Sequence, residues 1–345
     1  MTATAASTSA RSRPRTVEGP VLALDLGASR IRVAGVGPDG RLFARDAGPT
    51  PGEAGPDAVV AACIGRLRGV VAALDAGTRS ALVGIGLSAP GPLDPHRGIL
   101  VEPPNIGPGF RDVPFAEPIA QALNLPVRLE RDTHVAALAE QAFGAAREAE
   151  HFLYITVSTG IGGAIVAAGE LYGGADGVAG EIGHIPVGMP EVACMCGTAG
   201  HLEGVSSGSG IARQAAIAIA AGRATGLRER AERIAPAQLD AAQVAEAEAA
   251  GDPDAAAIMG RARQAFAAAL IGLVNVFNPE LVVVGGGLAR AQGERWLGPA
   301  RRAVEEGAFR IPRDRVRIVP AALGDDVGLV GAQPLLARSS LPVRS

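Results

Sequence analysis

Residues 152–172 read FLYITVSTGIGGAIVAAGELY. An apolar run leads into the small polar turn Ser158-Thr159-Gly160, a second apolar run follows, and a tight turn closes it, which is the pattern of a buried strand hairpin. The same form occurs once before. VLALDLG from Val21 reads as a buried strand, and IRVAGVGPDGRLFAR continues as period-2 strands turning at Pro38-Asp39-Gly40. Asp25-Leu26-Gly27-Ala28-Ser29 in the first copy stands opposite Thr156-Val157-Ser158-Thr159-Gly160 in the second. Self-similarity of this kind sets architecture, with two unrelated hairpins as the competing reading.

Working outward, residues 56–76 carry apolar side chains at helical spacing, and ALVGIGLS (81–88) is a buried strand running into Ala89-Pro90-Gly91-Pro92. A second proline-rich loop, PPNIGPGF (103–110), precedes a short helix from about Pro114 to Leu123 and the strand PVRLE (126–130). A helix then begins near Asp132, where a domain boundary is expected. Alanine-rich helices are predicted over 209–222 and 239–278, LVVVGGG (281–287) is a strand opening a glycine turn, and VRIVPA near Val316 is a last strand before a short helix after Gly324.

The 345 residues suffice for a sizeable core and a cleft between lobes. Composition (48% hydrophobic, 19% charged, 3% aromatic) describes an aliphatic globular chain, and a net charge of -3 supplies no field toward nucleic acid or anionic lipid. A small polar partner fits better. All 32 basic residues are arginine; without lysine, Schiff-base chemistry, pyridoxal-phosphate catalysis and Walker-type phosphate loops are excluded. Cys63, Cys194 and Cys196 do not form an extracellular disulfide framework, so a reducing cytoplasm is expected. Residues 1–19 carry Arg11, Arg13 and Arg15 without an apolar stretch behind them, and read as a disordered, solvated tail rather than a signal peptide. No apolar run of 18 residues, and hence no membrane span, is expected.

Three glycine turns sit at strand ends: Asp25 to Ser29, Ser158 to Gly163, and Gly285 to Gly287. Glycine lets backbone N–H groups approach a phosphate, although each turn alone is also ordinary hairpin chemistry. Asp25 ends an apolar strand, where a carboxylate is costly unless bonded, and holding hydrated Mg²⁺ beside phosphates would explain it. The segment from Glu181 through His184, Cys194, Cys196 and His201 to Glu203 gathers two thiols and two imidazoles. That donor set suits a closed tetrahedral zinc site, the alternative being inert thiols and surface histidines. Asp132 is either an N-cap or a carboxylate facing a cleft and able to take the proton of a sugar hydroxyl. His96 and His151 read as structural, and His134 stays open.

Taken together, these segments resemble the ROK family of sugar kinases and sugar-responsive repressors, most specifically over residues 158–187 and the cysteine segment after them. The resemblance spans Val21 to about Gly331. It implies an α/β, actin-like ATPase (ribonuclease H-like) fold of two lobes around an interlobe cleft. The N-terminal lobe would cover 20–131, with a helix at about 325–340 packing back on it, and the C-terminal lobe 132–324, with the zinc segment at 184–201. By the family's pattern Asp132 is the catalytic base, while Glu181, His184 and Glu203 bind sugar hydroxyls with Asn105 and the turn at Gly91. ATP and Mg²⁺ would meet Asp25, Gly27, Ser29, Thr159 and Gly160, with Gly285 and Gly286 at the adenosine. Structural Zn²⁺ would take His184, Cys194, Cys196 and His201, and His184 would aim its other nitrogen at the sugar. Homodimers or homotetramers are implied.

Four positions depart from that pattern. Ala28 and Ser29 stand where the family has Gly and Thr, and His201 replaces a third cysteine. Arg131 replaces an Asn that would bind sugar beside the base; an arginine only donates and adds a full charge. Arg131 is also expected to favour ionised Asp132 and make it a poorer proton acceptor. The expected activity is ATP-dependent phosphorylation of a hexose, glucose by default. The alternatives are a kinase for an N-acetylated or charged sugar met by Arg131, and a catalytically weak sugar-binding regulator. The short leader lacks a helix pair, so DNA binding is not expected.

Overall fold

The computed structural model describes residues 16–223, 226–229 and 239–338. Residues 1–15 of the expected tail, and the end of the expected 325–340 helix, lie outside the described residues. Strands β1 (Val21–Leu26), β2 (Arg30–Val36), β3 (Leu42–Pro49), β4 (Ile85–Ala89) and β8 (Val127–Arg131) form one sheet in the order β3-β2-β1-β4-β8. Between β4 and β8, the short strands β5 (Leu93–Asp94), β6 (Ile99–Leu100) and β7 (Val113–Pro114) form a small sheet of their own. Strands β9 (Phe152–Val157), β10 (Ile161–Ala167), β11 (Glu170–Leu171), β12 (Leu281–Gly285) and β13 (Arg317–Pro320) repeat the first plan in the order β11-β10-β9-β12-β13.

The repeat extends to register. Asp25 pairs with Arg32 on β2 and with Ser88 on parallel β4. Thr156, its equivalent, pairs with Gly162 on β10 and with Gly285 on parallel β12. Two unrelated hairpins would not share strand order and register, so the duplicated reading holds. Strands β1, β4 and β12 are buried along their whole length, as central strands covered on both faces must be. Edge strand β3 is half exposed and carries Arg45 and Asp46, charges that discourage further strand pairing.

Several boundaries differ from the sequence expectation. The helix from Pro56 stops at Ala72, because Asp75 caps a separate turn, Ala76–Ser80, by accepting the Thr78 N–H at 2.9 Å. The strand expected from Ala81 begins at Ile85. The long helix predicted over 239–278 is two helices, Ala241–Ala249 and Pro253–Phe277. Gly251 at φ +89° turns the chain between them, and Asp252 caps the second by accepting the Ala255 N–H. Pro253–Phe277 is long and apolar enough to cross a membrane by length and composition, although Arg261 and Arg263 interrupt its apolar run. Its alanines provide that hydropathy, and 56% of its most apolar window is buried, with Phe266, Leu270 and Val274 in the larger core.

The helix Asp132–Phe143 follows β8 and packs against β9 and β10 of the second sheet. The terminal helices Val327–Val330 and Ala332–Ala337 return to the first sheet, where Leu329 and Ala332 join Val21, Ala23 and Val36 in one apolar cluster. Gln333 ties this return by donating to the Gly19 and Val36 carbonyls at 2.9 and 3.1 Å.

Candidate active site

Asp132 sits where the two sheets meet. Arg131, with extended backbone, is the N-cap of the helix, so Asp132 is its first helical residue and not the cap the sequence suggested. Among the described residues its Oδ1 accepts only the adjacent Thr133 N–H, at 2.7 Å. Water reaches the exposed side chain along the cleft, yet protein crowds it from the other sides, and this desolvation pushes its pKa up to about 6. The Asp25 charge adds to the rise. The neighbouring Arg131 and the Thr133 N–H pull the other way, but desolvation outweighs them, so the expected weakening of Asp132 as a proton acceptor is not the net result.

Asp25 is nearly buried at 8% exposure and already partnered. Its Oδ1 accepts the Ser88 hydroxyl at 2.9 Å, and its Oδ2 accepts Arg32 Nε at 3.0 Å and a second guanidinium nitrogen. The carboxylate is thus charge-compensated without a metal, and its remaining lone pairs suit a metal-bound water better than direct ligation. A Cβ at Gly328 would come within 2.8 Å of this carboxylate, so the returning helix can close over Asp25 only with a glycine. In the adjoining turn, Gly27 spends its N–H on the Arg30 carbonyl and its own carbonyl on the Thr50 hydroxyl, while Ser29 stays exposed.

A cavity of about 360 Å³ opens between the sheets, lined by Arg32 from the first and by Tyr154, Thr156, Ser158, Gly285 and Gly286 from the second. Gly286 is required here: φ is +93°, and a Cβ would lie 2.3 Å from the Val157 carbonyl oxygen. That close approach makes a bare-backbone cradle fit for a nucleoside and its phosphates. Thr159 and Gly160 form the turn beside it, their carbonyls taken by Ser209 N–H and Ser158 N–H. A larger surface groove of about 630 Å³, beside β13 and lined by Arg301, Arg313, Asp314 and Arg317, contains none of the predicted site residues.

The loop 179–203 supplies the remaining groups. His184, Cys194, Cys196 and His201 place one ligand atom each within 4.8 Å of one another. Two thiols and two imidazoles at that spacing can hold a metal ion. Cys196 Sγ lies 3.2 Å from His201 Nδ1, and Cys194 Sγ lies 3.9 Å from His184 Nδ1. The other nitrogen of His184, Nε2, is 3.9 Å from Glu181 Oε2. Burial pushes the Cys194 thiol up, whereas the Thr198 N–H holds Cys196 down. Glu203 binds the glycine turn, its Oε2 accepting the Ile161 N–H at 2.9 Å.

Arg131 is buried, lies against Gly91, and donates across the cleft to Glu181 Oε1 at 2.8 Å and the Ala179 carbonyl at 3.2 Å. His134, open on sequence, is buried with Nδ1 3.0 Å from Glu130 Oε1 and Nε2 3.3 Å from the Ala179 carbonyl. Asn105 is exposed on its loop, and among the described residues no hydrogen bond joins it to the other candidates. Sequence reasoning missed Arg32, Ser88, Arg290 and Asp325. Arg32 was within reach, since a hairpin whose last pair is Leu26 and Ile31 places residue 32 opposite Asp25. Arg290 and Asp325, which pair at 2.7 Å on the cavity wall, come from elements that no local pattern connects.

Two sheets of one strand order, with small-residue turns facing a shared cleft, define an actin-like ATPase fold of two lobes. The chain belongs to the ROK family, whose model matches residues 21–339. It is 32% identical to a glucokinase of Thermotoga maritima, covering 92% of this chain and 96% of the relative. It is 31% identical to an N-acetylmannosamine kinase of Escherichia coli, covering 93% of this chain and 99% of the relative. Among solved structures it is similar to a ROK family glucokinase from Streptomyces griseus in complex with glucose and AMPPNP. That similarity has TM-score 0.76 and 30% identity, and covers 93% of this chain and 100% of the other.

Proposed function

We propose that the protein is an ATP-dependent hexose kinase that phosphorylates glucose on its primary hydroxyl. The observation that carries this reading is Asp132: a water-accessible carboxylate with a pKa near 6, at the junction of the lobes, between the glycine turns and the Glu181–Glu203 loop. Asp132 orients the hydroxyl and takes its proton as the oxygen bonds to the γ-phosphorus and the bond to the bridging oxygen breaks, leaving ADP. Glu181, His184 and Glu203, with Asn105 and the Gly91 turn, hold the other hydroxyls. Thr159 and Gly160 offer polar groups to the phosphates, Gly285 and Gly286 admit the adenosine, and Gly27 and Ser29 border the site. When bound, Mg²⁺ supplies charge neutralisation at the phosphates; Asp25 would hold it through water. When bound, Zn²⁺ would cross-link His184, Cys194, Cys196 and His201 and fix the aim of His184.

The same reading places the protein in the cytoplasm as a homodimer or homotetramer, with a sugar and not a nucleic acid as partner. Support for glucose as substrate comes from the glucokinase relatives, and the N-acetylmannosamine kinase likeness makes that sugar the second candidate. The test is ADP release with ATP and Mg²⁺ against glucose, mannose, N-acetylglucosamine and N-acetylmannosamine, with Asp132→Asn as control. Strong turnover on glucose, abolished in the control, is expected; turnover on none of the four would overturn the reading.

A further inference from the structure

Arg131 was expected to touch the sugar, but its guanidinium is otherwise engaged. Its side chain is 6% exposed and that of Glu181 49% exposed, so a buried cation is compensated by a carboxylate that still faces the cleft. The arginine ends β8 of the first sheet and Glu181 follows the second hairpin, so the pair spans the lobes. A second nitrogen holds the Ala179 carbonyl, which His134 also approaches, and the bare face of Gly91 backs the side chain. Three polar contacts from β8 and the adjoining helix thus clasp residues 179–181. Glu181 is left with Oε1 on Arg131 and Oε2 toward His184.

We propose that Arg131 is a positioning residue for the sugar subsite: it aims Glu181 at a substrate hydroxyl, and, its own charge being cancelled there, it restricts the site to uncharged sugars. This rests on the hexose-kinase reading. An anionic substituent would have to strip Glu181 from a buried guanidinium, leaving one charge unpaired on either side, which is strongly unfavourable. A neutral hydroxyl needs only the acceptor lone pairs that Glu181 retains.

The test is a double-mutant cycle with Arg131→Asn and Glu181→Gln, reading equilibrium glucose binding without nucleotide, then KM for each substrate and kcat. Arg131→Lys serves as the conservative variant, and thermal midpoints report folding. Loss of the ion pair should weaken glucose binding and raise sugar KM by about tenfold or more, the size of a lost charge-assisted bond, with ATP KM nearly unchanged. In the Glu181→Gln background, Arg131→Asn should add little, and Arg131→Lys should recover part of the loss. Wild-type protein should bind glucose in preference to glucuronate. Additive effects, unchanged glucose binding in Arg131→Asn, or a preference for glucuronate would each overturn the proposal. Wild-type protein that binds glucose without transferring phosphate would defeat the kinase reading, and the cycle in binding constants would still decide the role of Arg131.

Discussion

Glu203 Oε2 accepts the Ile161 backbone N–H at 2.9 Å, and a Cβ on neighbouring Gly160 would stand 2.7 Å from that same oxygen. The carboxylate proposed for the sugar subsite is therefore seated directly on the turn proposed for phosphate, so under that reading the two substrates share one support. Gly160→Ala should push Glu203 off Ile161 and raise KM for both sugar and ATP by about tenfold, the scale of one lost charged hydrogen bond. Steady-state kinetics on both substrates check this; a change confined to ATP would show that Glu203 is seated independently.

As the proposed base, Asp132 would act ionised, so kcat/KM should fall about tenfold per pH unit below its folded pKa of about 6. The same shift has a stability consequence of definite sign. Because the folded pKa is raised above the usual 3.8, the stability tied to the protonated form is complete below 3.8 and is lost as pH rises through about 6. Asp132→Asn should therefore be more heat-stable than wild type at pH 8 and show little difference at pH 4, while being inactive throughout. Melting curves at the two pH values test it.

Gly286→Ala places a methyl 2.3 Å from the Val157 carbonyl at a positive φ. The obstacle is backbone, which cannot rotate away, so the β12 turn must shift. A loss of about 1–3 kcal/mol in folding stability and a raised KM for ATP are expected. Denaturant unfolding with and without nucleotide measures both.

The four-residue Cys/His cluster should bind one zinc per chain, and Cys194→Ser or Cys196→Ser should abolish it. Because His184 turns its other nitrogen toward Glu181, metal loss should raise sugar KM more than ATP KM. Metal analysis of purified protein, followed by kinetics after chelation, checks the stoichiometry and the asymmetry.

Glu140 is fully buried at the far end of the helix that starts with Asp132. It accepts the N–H groups of Ala145, Ala322 and Leu323. Glu140→Leu would leave three backbone N–H groups without the acceptor that ties them to this helix, so a loss of stability of about 1–3 kcal/mol is expected from thermal or denaturant unfolding.

What the chain determines by itself is what depends on near neighbours and short periods. Alternating and continuous apolar runs marked both hairpins, equal spacing matched Asp25 to Thr156, and two thiols and two imidazoles within 18 residues marked a cluster that folds together. Helix ends were legible only where propensity and capping agreed. At Asp75 and Asp252 the apolar period runs on, but each Asp accepts a backbone N–H as the N-cap of a new helix, which divides the run in two. The tertiary structure alone decided which charges meet. Arg131 reads as a sugar contact along the chain and becomes the partner of Glu181, 50 residues away, because the fold brings the end of β8 to residues 179–181 beyond the second hairpin. The pKa of Asp132 likewise depends on how much protein crowds it, a long-range quantity that one-dimensional spacing does not carry.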